Sequence, residues 1–142
     1  MRYAESKIKV KKLYSFFKEC DDIFYPRIKN NEEIKIYSQK LYEHAIIFCS
    51  YNEKELVGIV AAYFSQELKT AYITSVCVNA KYRKQNIAYN LMIMCIDKSI
   101  ELNLKKIQLE VYRDNLPAIS LYKKFGFTIK EEDEYFTMEK II

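Results

Sequence analysis

The stretch TAYITSVCVNAKYRKQNIAYNLMIMCIDKSIELNLKKIQLEVY, residues 70–112, decides the architecture. Its first nine residues, TAYITSVCV at 70–78, are rich in β-branched and aromatic side chains and read as a strand. A polar, basic loop follows, NAKYRKQN at 79–86, and then a helix from Ile87. The centre of that helix, LMIMCI at 91–96, is apolar on more than one face and is expected to be deeply packed. Asn103, a residue that tolerates the left-handed conformation, is expected to end it. Residues 106–112, KIQLEVY, alternate Ile107, Leu109 and Val111 against Gln108, Glu110 and Tyr112, the period of a second strand. Strand, helix, strand implies a right-handed crossover and a parallel pair.

Towards the N-terminus lie two more strand-like runs, AIIFCSY at 45–51 and ELVGIVAAYF at 55–64. The turns Asn52–Lys54 and Ser65–Lys69 join them to the strand at 70–78 as an antiparallel meander. Helical spacing at 8–20 (Val10, Leu13, Phe16, Phe17, Cys20) and at 31–43 (Ile34, Tyr37, Leu41) predicts that two amphipathic helices open the chain. Towards the C-terminus, Asn115 reads as an N-cap with Pro117 in the first turn. That helix runs to about Phe125, where Gly126 supplies a positive-φ stop. Phe127–Lys130 and Tyr135–Glu139 are expected as final strands around the acidic turn EEDE. The expected fold is one α/β domain over 1–142, a mixed and mostly antiparallel sheet flanked by helices.

Composition narrows the function. A chain of 142 residues fits one domain and needs no metal or disulfide staple. With only two glycines, Gly58 and Gly126, it can build neither a dinucleotide fingerprint nor a P-loop. Lys and Arg number 23 against 19 Asp and Glu, a formal +4 that suits an anionic small ligand. No basic stripe of the kind that binds nucleic acid accompanies it, so no nucleic-acid partner is expected. Four scattered cysteines without a C-x-x-C pair, and a single histidine, His44, argue against zinc. Three of those cysteines lie in apolar runs, as buried free thiols do in a reducing compartment, and no apolar signal core or membrane span is visible. A cytoplasmic location without a membrane partner is therefore expected.

Lys81, Arg83 and Lys84 lie just before a helix start, where bare backbone N–H groups and the positive dipole end favour an anion. An ordinary solvated basic loop has the same composition. The stretch Val78-Asn79-Ala80-Lys81-Tyr82-Arg83-Lys84-Gln85-Asn86-Ile87-Ala88 resembles the acyl-CoA loop of the GCN5-related N-acetyltransferases. Their pattern is a valine ending a strand, then Arg or Gln-x-x-Gly-x-Gly or Ala opening a helix. Arg83 takes its first position and Ala88 its last. Asn86 stands where the first glycine is usual, and Asn is the next residue most tolerant of positive φ. Leu109-Glu110-Val111, Asn115, Ala118, Leu121-Tyr122 and Phe125-Gly126-Phe127 are similar to the family's second cofactor segment. Together the two segments span 70–139.

The resemblance implies the acyl-CoA N-acyltransferase fold, with acetyl-CoA as co-substrate and no metal. It implies that Arg83, Lys84 and the segment Gln85, Asn86, Ile87, Ala88 hold the pyrophosphate. It assigns oxyanion and pantetheine contacts to the backbone of Val76, Cys77 and Val78, a pantetheine hydrogen bond to Asn115, and protonation of the departing thiolate to Tyr122. A phenol of pKa ~10 stays protonated at neutral pH and can donate to a thiolate whose acid is ~8.5. Ala118, Leu121, Tyr122 and Phe125 also form a stripe that plain core packing would produce.

The base is read from the strands. TAYITSVCV holds no carboxylate, whereas Glu110 sits mid-strand, where an acid is exposed, paired or used. Glu110 as base and Glu110 as a paired surface acid are equal readings, and Tyr72, Thr74 or Ser75 relaying through water is a third. His44 is remote in sequence, and Cys77 has no activating base near it in sequence for a covalent route. The expected reaction is direct acetyl transfer to a primary amine of a small molecule or peptide; the competing reading is a catalytically silent acyl-CoA-binding or interaction module. The acceptor side is expected within 1–65, where Phe16, Phe17, Phe24, Tyr25, Tyr51 and Tyr63 read equally as core. A homodimer is left open.

Overall fold

The strands flanking the crossover lie parallel and side by side in the computed structural model, which describes residues 1–20 and 30–142. The elements are β1 (Arg2–Glu5), α1 (Val10–Lys18), α2 (Asn31–His44), β2 (Ile46–Asn52), β3 (Glu55–Ser65) and β4 (Thr70–Val78). After a single 3-10 turn (Ala80–Tyr82) come α3 (Ile87–Glu101), β5 (Lys106–Tyr112), α4 (Leu116–Lys124), β6 (Thr128–Glu131) and β7 (Tyr135–Ile141). The strands form one sheet in the order β1-β2-β3-β4-β5-β7-β6. Only the β4–β5 pair is parallel among the described strands; every other neighbour is antiparallel.

Both faces of the sheet are covered, which is why β2 and β3 read as nearly continuous apolar runs. Leu13, Phe16 and Phe17 of α1 and Leu41 of α2 pack on Ile47, Cys49, Ile59 and Cys77. The intervening residues, Phe48, Val57, Val60 and Ile73 among them, point the other way, onto Leu91, Met92 and Cys95 of α3 and Ile119 and Tyr122 of α4. Side-chain alternation along the strands thus builds two cores from one sheet.

Local signals set the ends. Asn30 caps α2: its Oδ1 accepts from the Glu33 amide at 2.9 Å, and its Nδ2 donates to the Glu33 carboxylate at 3.1 Å. Asn103 (φ 58°) and Gly126 (φ 91°) take the left-handed conformation after α3 and α4. Two expectations change. The chain opens with a strand rather than a helix, because Arg2–Glu5 pairs with Phe48–Tyr51 across a long sequence separation that local periodicity does not register. The apolar centre of α3 is buried on one side only: Leu91, Met92 and Cys95 are enclosed, while Ile93 and Ile100 face outward. Phe24 and Tyr25 lie outside the described residues.

Candidate active site

The site begins where the parallel pair ends. β4 and β5 are in register from Thr70/Lys106 to Ile73/Leu109, and no further. Yet β4 continues to Val78 against β3, and β5 continues to Tyr112 against β7. Two strands that keep their outer partners and lose each other must diverge, leaving a wedge whose two walls are not paired to each other. At the end of β4 the Asn79 amide donates to the Val57 carbonyl at 2.8 Å. By alternation, the peptide groups of Val76 and Val78 turn from β3 towards the wedge.

The crossover brings two helix N-termini to the open end of that wedge, since α3 leaves from the end of β4 and α4 from the end of β5. α4 is capped by its own sequence: Asn115 Oδ1 accepts from the Ala118 amide at 3.3 Å. α3 is different. Its N-cap residue, Asn86, adopts φ 61° and ψ 21° and makes no side-chain cap hydrogen bond. The first intrahelical bond runs from the Asn90 amide to the Asn86 carbonyl, so the amides of the first turn are presented outward. Lys84 is also left-handed (φ 63°), and Lys84, Gln85 and Asn86 are exposed. Arg83 folds back, its Nε donating to the Val78 carbonyl at 3.3 Å.

Two contacts the sequence did not disclose hold this loop. Tyr82 Oη donates to Glu55 at 2.9 Å and accepts from Asn52 Nδ2 at 3.0 Å, pinning the loop to the β2–β3 hairpin. Gly58 lets α3 settle on β3: a Cβ there would lie 2.8 Å from Ile87 Cγ2 and 3.3 Å from Leu91 Cδ1. That close approach fixes the height of the first turn of α3 above the sheet.

On the α1/α2 side of the wedge, Tyr72 from β4 donates to Glu110 Oε1 of β5 at 2.8 Å. Both were candidates, and the structure brings them together across the diverging strands. Tyr122 comes from the other side. It is 6% exposed, its ring 6.0 Å from that of Phe127, and burial pushes its phenol above the ordinary value. Its burial with Ile119 shows that the inner face of α4 is centred on these two residues, with Ala118, Leu121 and Phe125 beside them. Cys77 is buried in the core beneath α1. His44 ends α2, exposed and 3.7 Å from Glu43. Of the acceptor-side aromatics, Phe16 and Phe17 are core, Tyr51 lies under Arg2 and Lys12, and Tyr63 under Lys40. Among the described residues no helix is long and apolar enough to cross a membrane, and no group of three His, Cys, Asp or Glu is placed to hold a metal.

A mostly antiparallel sheet that opens at its parallel pair, beside an uncapped helix N-terminus, defines the class of acyl-CoA N-acyltransferase folds. The chain belongs to the Acetyltransferase (GNAT) family, whose profile matches residues 10–127. It is 33% identical over 96 residues to N-alpha-acetyltransferase 30 of Dictyostelium discoideum, covering 66% of this chain and 52% of that one. It is 30% identical over 79 residues to the L-amino acid N-acetyltransferase AaaT of Escherichia coli, covering 54% of this chain and 49% of the relative. The chain thus spans about half the length of these curated relatives. In fold it is similar to the PaiA N-acetyltransferase of Thermoplasma acidophilum, solved with coenzyme A (TM-score 0.80, 19% identity, all of both chains). The ribosomal-protein-S18-alanine N-acetyltransferase of Escherichia coli has a TM-score of 0.80 at 15% identity, over 99% of this chain and 94% of that one.

Proposed function

We propose that the chain is an N-acetyltransferase that moves the acetyl group of acetyl-CoA directly to a primary amine of a small molecule or peptide, with both substrates bound together. One arrangement carries this reading: the β4–β5 pairing stops at Ile73/Leu109, the Tyr72–Glu110 pair sits at that point, and the uncapped N-terminus of α3 follows the far end of β4. An uncapped first turn flanked by Lys84 and Arg83 fits a pyrophosphate, held by the amides of Asn86, Ile87 and Ala88 with Gln85 alongside. The edge at Val76–Val78, which β5 does not pair, fits an extended amide-bearing pantetheine arm running alongside it. Asn115 keeps its Oδ1 on α4 and offers its Nδ2 to the same arm. Residues 70–139 form the cofactor half and 1–65 the acceptor half.

The co-substrate supplies an acetyl group activated as a thioester. Glu110, oriented by the Tyr72 hydroxyl, takes the proton of the incoming ammonium directly or through a water. Backbone amides of the β4 edge face the oxygen on which negative charge develops. Tyr122 donates its proton to the leaving sulfur. Burial makes the phenol a weaker acid, but it desolvates the thiolate as well and raises that group's proton affinity in step. The relatives named above act by name on α-amino groups: N-alpha, L-amino acid and S18-alanine. A peptide α-amine of pKa about 7.7–8.0 is roughly a fifth to a third neutral at about pH 7.4, which makes a modest base such as Glu110 sufficient.

The test is thiol release from acetyl-CoA with free amino acids, amino sugars and short peptides bearing free N-termini. Release that requires an acceptor supports the reading. Tight binding of acetyl-CoA with no release for any amine would leave a silent acyl-CoA-binding module in its place.

A further inference from the structure

The register of β3 and β4 slips between Ala61 and Ala62: Ala61 faces Ser75, Ala62 faces Ile73, and Thr74 is left without a cross-strand partner. A residue extruded from a ladder needs other partners for its polar backbone. Tyr37, in the middle of α2, supplies one for the carbonyl. Its Oη lies 3.0 Å from the Thr74 carbonyl and 2.8 Å from Thr74 Oγ1. A phenol has one proton, so Tyr37 donates to the carbonyl and accepts the proton of the threonine hydroxyl. Burial raises the phenol above its ordinary pKa, so that proton is retained. The Tyr37 ring packs 5.5 Å from that of the fully buried Phe17, which fixes its direction of approach. The bulge also has a telling position. The β4–β5 pairing stops at Ile73/Leu109, one residue before Thr74.

We propose that Tyr37 is a positioning residue: by holding Thr74 in the bulge, it sets the line along which the Val76–Val78 edge leaves β5, and it ties that edge to α2. The proposal rests on the acetyltransferase reading, in which that edge carries the thioester. Tyr37 touches neither substrate; it acts through the strand.

Tyr37→Phe removes the shared hydroxyl, Thr74→Val removes its side-chain partner, and Thr74→Ser keeps that partner. Displacing the edge misaligns the thioester, so Tyr37→Phe and Thr74→Val should each lower kcat about tenfold. Most cofactor contacts lie elsewhere, so the Kd for coenzyme A should move by less than about twofold. The double variant should be no slower than the slower single one, as members of one linked unit behave. Thr74→Ser should restore wild-type kcat. Amide hydrogen exchange of residues 73–77 should rise in Tyr37→Phe while that of α3 stays unchanged. Unaltered kcat and exchange in Tyr37→Phe, additive losses in the double variant, or coenzyme A affinity falling as far as kcat would each overturn the proposal. If the wild-type chain releases no thiol with any amine, the acetyltransferase reading fails by itself. Exchange at 73–77 then decides the link alone: a rise in Tyr37→Phe supports it, and no change overturns it.

Discussion

Asn86, like Lys84 two residues before it, carries backbone strain in the loop that opens α3. At φ 61° it adopts a conformation that costs most L-residues about 1–2 kcal/mol, which Asn offsets in part through its short polar side chain. Asn86→Gly should therefore bind coenzyme A at least as tightly as the wild type. Asn86→Val should bind it about tenfold more weakly, since a β-branched residue resists this φ and moves the first-turn amides. Titration calorimetry of both variants checks the pair, and equal affinities would show that the turn does not position the ligand. Tyr122→Phe should slow turnover on the order of a hundredfold with acetyl-CoA affinity nearly unchanged, as loss of a general acid does. Lost affinity in that variant would make Tyr122 a packing residue. Asn86 was readable from the chain because a motif and a conformational preference coincide there. Tyr37 was not: as one member of the Ile34, Tyr37, Leu41 stripe it looks like core, and its hydroxyl acquires meaning only when Thr74 leaves the ladder.

Elements with strong internal periodicity were legible. KIQLEVY forms β5 with the expected limits, and Asn115, Pro117 and Gly126 bracket α4 as their backbone chemistry requires. What escaped depends on neighbours. β1 is four residues long and is defined by its pairing with β2. The wedge follows from β4 and β5 each keeping an outer partner, and no property of either strand alone reveals that. Likewise, Glu110 could be named as a mid-strand acid, while its contact with Tyr72 required the register. Gly58 belongs at this scale, because its missing side chain sets the distance between α3 and the sheet. Gly58→Val should cost about 1–3 kcal/mol through overpacking against Ile87 and Leu91. It should also weaken coenzyme A binding more than an equally destabilising cut in the opposite core, such as Leu13→Ala. Thermal melts with and without coenzyme A compare the two. An equal ligand-induced shift would mean that the seat of α3 does not govern the site.

Across the whole molecule, two cores on opposite faces of one sheet both bury titratable groups in neutral form. Burial pushes Cys95 up from 9.0 to about 12, and it raises Tyr37 and Tyr122 from 10.0. A raised folded-state pKa contributes stability that is complete below the unfolded value and disappears as pH climbs towards the folded one. The melting temperature should therefore hold at neutral pH and fall from about pH 9 upward; equal melting temperatures at about pH 8 and about pH 11 would contradict that burial. The same sheet, by parting its parallel strands beneath a bare helix N-terminus, forms the cleft on which the functional reading depends. Calorimetric titration of coenzyme A into the full chain tests that cleft most directly. A saturable heat with one ligand per chain is the expected result, and a flat titration would contradict it.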